Sequence, residues 1–147
     1  MVTDEQVRWI ALFFLFSSMD ETHAIQSAQK VIVQLKAHGS PSSLTRIEIL
    51  KAIRKVWDAY LKTPTRRRSP GIPEHSWRLP DHIEIAPWVK FQKDASSEQV
   101  TAVVLTKILG FSESEIAEGF GLSLGTSRYR VSRGVKQLGS VMKATGC

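Results

Sequence analysis

Residues 110–138 read GFSESEIAEGFGLSLGTSRYRVSRGVKQL, and the spacing inside this stretch decides how the rest of the chain is read. Ser112 stands three residues ahead of Glu115, the S-x-x-E arrangement in which a hydroxyl and a carboxylate cap the first turn of a helix reciprocally. Ile116, Ala117 and Phe120 then share one side of that short helix. Gly121 comes where helices commonly end in a left-handed residue, and Ser123 is placed to cap a second helix. The spacing predicts helix, tight turn, helix.

On the second helix Val131, Val135 and Leu138 recur at helical spacing and are expected to form the buried stripe. At about 100° per residue, Thr126, Tyr129, Arg133 and Lys136 point the opposite way. Arg130 lies beside them and Arg128 falls nearer the flank. One face packs; the other offers cations, hydroxyls and one aromatic ring. Guanidinium forks read guanine edges or clamp phosphates, and hydroxyls hold register, so such a face suits the major groove. A basic outer face is common on any surface helix. The preceding capped helix and the short glycine-containing turn favour a helix-turn-helix.

The same stretch resembles the promoter-reading C-terminal domain of bacterial sigma factors, especially the extracytoplasmic-function group. That family's pattern is approximately G-x-S-x-x-E-I-A-x-x-x-G-x-S-x-G-T-V-x-x-R-x-x-R. Gly110, Ser112, Glu115, Ile116, Ala117, Gly121, Ser123, Gly125, Thr126, Arg130 and Arg133 match it without a gap. Ser127 stands where the family usually has Val. Its position leans toward the core, so a hydroxyl there either loosens packing or bonds back to the preceding turn. Gly119 and Gly134 are each expected to weaken a helix by roughly 1 kcal/mol relative to Ala. The resemblance implies that Thr126, Tyr129, Arg130, Arg133 and Lys136 read a −35-type element of double-stranded promoter DNA. Ser123 would set the helix start and Arg128 would touch phosphate. It also implies association with the RNA polymerase core.

The chain has 147 residues, a formal charge of +6 and a sequence pI of about 9.7. The basic balance fits a polyanionic partner. A single cysteine, Cys147, excludes an intrachain disulfide, and a cytoplasmic location is expected. The longest apolar run, from Trp9 to Phe16, is too short to span a bilayer. Asp4 and Glu5 ahead of it, with no small-x-small site after it, do not fit a signal peptide. No membrane partner is expected.

Residues 4–18 read as a helix that is apolar nearly all round from Trp9 onward. Such a helix is either buried centrally or covered by a partner. After a short break, with Asp20 or Thr22 as cap, Ala24, Ala28, Val31, Ile32 and Leu35 form the stripe of a helix ending near Ala37. His38 to Ser43 is a loop. A further helix from Leu44 to Leu61 packs through Ile47, Leu50, Ile53 (or Ile49), Val56, Trp57 and Tyr60. Arg46, Lys51, Arg54, Lys55 and Lys62 make it basic elsewhere; this charge reads as a solvated face or as contact with DNA backbone.

This half resembles the same family more faintly. Ala24, Gln29 and Ile32 fit the family's first conserved helix, and Tyr60 to Lys62 fit the ending of its second. In the family, acidic residues of the first helix help dock on the polymerase clamp. Ile25, Gln26 and Lys30 hold those places here. Glu48 stands where the family has Trp, and Lys55 where it has Asn. The exchange removes or reverses the docking charge, which implies a degenerate melting-and-docking domain.

Thr63 to Asp81 carries Pro64, Pro70, Pro73 and Pro80 with the run Arg66–Arg67–Arg68, and reads as an extended basic linker. Ala86 to Lys93 reads as a short helix with Pro87 near its start. Ser96 or Ser97 caps a helix reaching Leu109, with Val100, Val103, Val104, Leu105 and Ile108 as its apolar residues.

No enzymatic constellation is present in the sequence. His23, His38, His75 and His82 have no metal-ligand spacing with a cysteine or with one another. There is no glycine-rich phosphate loop, and Glu113 and Glu115 are explained by helix capping. No cofactor, metal or small-molecule substrate is expected. The chain is expected to be all-α, with two small helical lobes joined by a proline-rich basic linker. Residues 1–62 form the degenerate docking domain, 63–85 the linker and 86–147 the helix-turn-helix domain. The leading functional reading is a sigma-like initiation protein. The alternative is a sigma mimic that binds an anti-sigma or other regulatory protein without starting transcription. An ordinary helix-turn-helix regulator would need a dimerisation element, and no sustained heptads supply one.

Overall fold

A computed structural model describes residues 3–37, 45–62 and 85–144. The linker from 63 to 84 with its arginine run, the loop at 38–44 and Cys147 lie outside the described residues. All regular structure among the described residues is helical: α1 (Asp4–Ser18), α2 (Glu21–Ala37), α3 (Arg46–Leu61), α4 (Ile85–Asp94), α5 (Ser97–Val103), α6 (Glu113–Phe120) and α7 (Leu124–Ala144). A π-helical turn, Val104–Ile108, extends α5.

The helix starts follow local chemistry. Thr3 and Gln6 form a capping box ahead of α1, and Thr45 caps α3 through the Glu48 amide. Of the two candidates for α2, Asp20 accepts the His23 amide at 3.0 Å. Of the two for α5, Ser96 accepts the Gln99 amide at 3.3 Å. Each such cap contributes about 1 kcal/mol. Helix α1 ends at Met19, which adopts φ 55°.

Helix α1 is the central element. Ile10 and the consecutive residues Phe13, Phe14, Leu15, Phe16 and Ser17 are all buried. Five consecutive residues exceed one helical turn, so the helix is covered all round its last part. Helix α2 covers part of it, Trp57 of α3 lies against Phe13 and Phe14, and α5 with its π turn covers another part. Phe13 meets Trp57 of α3 edge-on at 5.7 Å. Phe16 meets Trp88 of α4 at 5.5 Å, and the Trp88 indole donates to the Phe16 carbonyl at 2.8 Å. One continuous core therefore joins the N-terminal helices to the C-terminal ones. Burial of each Phe or Leu contributes about 2 kcal/mol.

The two halves also meet where α3 lies against α6. A Cβ on Gly119 would fall 2.5 Å from Leu50 Cβ. A Cβ on Gly134 would fall 2.6 Å from a Val103 methyl and 2.9 Å from the Gln99 carbonyl oxygen. These glycines weaken their helices in isolation, but they let α6 approach α3 and α7 approach α5. Leu50 Cβ is fixed to the α3 backbone and cannot turn aside. Gly119→Ala is therefore expected to lower stability by about 1–3 kcal/mol through overpacking, despite the gain of roughly 1 kcal/mol in helix propensity. Urea denaturation checks this; a variant as stable as the parent would mean that α3 does not hold this close contact in solution.

Candidate nucleic-acid interface

The helix-turn-helix is built by the caps that the spacing predicts. Ser112 Oγ accepts the Glu115 amide at 3.0 Å, and Glu115 Oε1 accepts the Ser112 amide at 2.9 Å. Helix α6 ends at Gly121, whose φ of 66° suits glycine. Ser123 Oγ accepts the Thr126 amide at 3.1 Å and donates to the Thr126 hydroxyl at 2.9 Å. This starts α7 and holds the Thr126 side chain at its entry.

The buried stripe of α7 differs from the expected one. Val135 is 37 % exposed, so it does not belong to the packing face. Ser127, Val131, Gly134 and Val141 are buried, and Leu138 packs half-buried against the core. Their 4-3-4-3 spacing rotates the stripe away from Val135, because Gly134 is the position that lets α7 touch α5. Ser127 is buried, and its hydroxyl donates to the Glu113 carbonyl at 2.8 Å. It thereby ties the second helix to the first turn of α6, not to the turn immediately before it.

The opposite face carries Thr126, Tyr129, Arg133 and Lys136, all exposed, with Tyr129 at 63 %. Arg128 is exposed on the flank, with its Nε 3.8 Å from Glu113 Oε1; an exposed pair at that distance contributes little. Arg130 is only half-exposed. It faces a cleft of about 250 Å³ shared with Arg54, Trp57 and Asp58 of α3 and Thr101 of α5. Thus the structure groups Thr126, Tyr129, Arg133 and Lys136 on one open face, with Ser123 at its start, and sets Arg130 on the side nearest α3.

Two cations of α3 are not simply solvated. Arg46 Nε donates to Glu115 Oε2 at 2.7 Å, and its Nη2 donates to the Gly110 carbonyl at 3.3 Å. The same guanidinium lies 4.3 Å from the Phe111 ring centroid and 5.1 Å from that of Trp9. Trp9 and Phe111 themselves meet edge-on at 5.6 Å. Arg54 pairs with Asp58 at 3.3 Å and lies against Gly121 in the turn, where a Cβ would come within 2.7 Å of its Nη1. Arg54 and Asp58 stand at the i,i+4 spacing of a helical ion pair, but spacing carried no signal for Arg46 on Glu115 or Arg54 on Gly121, whose partners are far apart along the chain. The sequence assigned Glu115 to capping alone; it serves the cap and Arg46 together.

Among the described residues no group of three or more His, Cys, Asp and Glu side chains is placed to hold a metal ion. No helix among them is long and apolar enough to cross a membrane.

Residues 96–138 match the family model for sigma-70, region 4. The match begins at the cap of α5 and runs into α7. The chain is similar in fold to the sigma factor RpoE from Bartonella quintana, solved in complex with the anti-sigma factor NepR. The TM-score is 0.78 at 18% identity, covering 94% of this chain and 92% of that one. At that identity the likeness is one of fold. No curated protein matches the chain in sequence.

The Arg46 hydrogen bond, assisted by the Ser112 amide, holds the Glu115 carboxyl below its ordinary range against the opposing effect of burial. A depressed value in the folded state means that this stabilisation is complete above the ordinary carboxylate pKa. It is lost as pH falls through the folded value. Arg46→Ala is expected to cost about 1–3 kcal/mol at neutral pH, allowing for partial exposure of the pair. Denaturation at stepped pH should show the difference from the parent shrinking on acidification. A difference that stays constant would assign the effect to ring packing alone.

Proposed function

We propose that the protein is a sigma-factor-like transcription initiation protein. Its α7 reads a −35-type element of duplex promoter DNA, and the chain associates with the RNA polymerase core in the cytoplasm. The observation that carries this reading is the open face of Thr126, Tyr129, Arg133 and Lys136 on the second helix of a capped helix-turn-helix. In this role Tyr129 and Arg133 meet base edges, Lys136 and Arg128 meet phosphates, and Ser123 with Thr126 fixes the register of the helix start. Arg130 joins them from the side shared with α3. In this reading the protein acts by binding duplex DNA and the polymerase, not by catalysis.

A second reading is favoured by the closed packing of the two halves. The helix α3 lies on the first helix of the helix-turn-helix, at Gly119, and Arg46 ties it to Glu115. In the structure similar to this one the sigma factor is bound to an anti-sigma factor. A sigma mimic that engages such a regulator would use the same fold without starting transcription. The uncharged or basic residues Ile25, Gln26 and Lys30, in place of the family's docking acids, support this reading.

Size-exclusion chromatography with core RNA polymerase, followed by promoter-dependent transcription, separates the two. Co-elution and specific transcripts support the initiation reading; a folded protein that does neither supports the mimic. Within the first reading, Arg133→Ala is expected to weaken binding to the preferred promoter sequence by about 1–3 kcal/mol. Its binding to unrelated duplexes should change much less. An equal loss on every sequence would assign Arg133 to phosphate.

A further inference from the structure

Between α2 and α3 runs a groove of about 400 Å³ whose lining includes His23, Gln26, Lys30, Lys55, Val56 and Tyr60. No carboxylate is among its described lining residues. Lys30 comes from one wall and Lys55 from the other, and both are exposed. Val56 is buried between them and Tyr60 is half-buried. On the outer side of α2, Ile25 and Val33 are exposed, Val33 at 65 %. The groove thus has cations at its walls and an apolar strip at its base, bordered by a helix face with exposed aliphatic side chains.

We propose that this groove docks an acidic amphipathic segment of a partner protein. The segment's carboxylates meet Lys30 and Lys55, and an apolar side chain between them seats against Val56 and Tyr60. Charge complementarity selects the occupant. A basic segment is repelled from both walls, and a purely apolar one leaves the two ammonium groups without counter-charges. The same cations attract a nucleic-acid backbone, but a single strand gains much of its affinity by stacking bases on open aromatic faces. Here the Tyr60 ring already stacks on His23 at 3.7 Å and on Trp57 at 5.1 Å. His23 is further held by a 2.9 Å hydrogen bond with the Ser27 hydroxyl. The aromatic edge of the groove is therefore engaged within the protein, which favours a peptide over bases.

The site lies on α2 and α3, apart from the open face of α7, so it stands independently of promoter reading. Fluorescence anisotropy on the full chain tests it. The probes are a fluorescein-labelled peptide repeating Glu-Glu-Leu-Leu, its Lys-Lys-Leu-Leu counterpart, and a labelled single-stranded oligothymidine. The acidic peptide is expected to bind, more weakly as salt rises, and the basic peptide is not. Lys30→Glu combined with Lys55→Glu should reduce binding of the acidic peptide by about tenfold or more. Lys36→Glu, on α2 but outside the groove lining, should leave it unchanged, and thermal melting confirms that both variants fold. Equal binding by the double variant and the parent overturns the proposal. So does oligothymidine binding that is lost in the double variant while the acidic peptide fails to bind, which would make the groove a nucleic-acid site. Arg133→Ala should not alter peptide binding, so failure of this proposal and failure of promoter reading are seen separately.

Discussion

Phe13 to Ser17 of α1 are buried on every side of the helix, and a helix of this kind needs a neighbour on each side. The N-terminal helices α2 and α3 cannot supply all of that cover. The rest comes from α5 with its π turn and from α4, whose Trp88 both packs on Phe16 and bonds to its carbonyl. The central position of α1 is why the two halves share one core. It also brings α3 close to α6, so that the N-terminal helices border the helix-turn-helix.

Close approach along that border depends on missing side chains. Helix propensity disfavours Gly119 and Gly134, yet each occupies a point where two helices would otherwise collide. The local cost is offset by contacts that only the packed molecule makes. The same trade shapes Ser127, a hydroxyl where an apolar side chain would ordinarily pack. Its bond to the Glu113 carbonyl satisfies the buried group and ties α7 to the first turn of α6.

Charge is distributed in two different ways over this frame. On α7, Arg133 and Lys136 stand open, while Arg130 lies on the α3 side and Arg128 beside Glu113. On α3, Arg46 and Arg54 are turned inward to the C-terminal half, one onto Glu115 and two rings, the other beside Gly121. A guanidinium can hydrogen-bond in its plane while its faces lie on aromatic rings, which a lysine ammonium cannot reproduce. The net charge alone does not distinguish these roles. A cation engaged within the fold steadies the packing of the two halves, whereas one left open is available to an anionic partner.

Local spacing by itself determined the helix-turn-helix. Ser112 with Glu115, Gly121 and Ser123 act within a few residues of one another, so their caps and the left-handed turn are legible without any tertiary contact. The outward direction of Thr126, Tyr129, Arg133 and Lys136 follows from the helical period once that start is set. What spacing could not decide was the exact rotation of the buried stripe, because the 100° step places Val131 and Val135 almost equally well. Only the approach of α7 to α5 at Gly134 selected Ser127, Val131 and Val141 and left Val135 outside. Likewise no pattern in the chain announced that Arg46 would reach Glu115, 69 positions away. Nor did apolarity alone say whether α1 would be buried by the chain or by a partner. Those outcomes depend on surfaces brought together from distant segments, and side-chain periodicity within one segment holds no record of them.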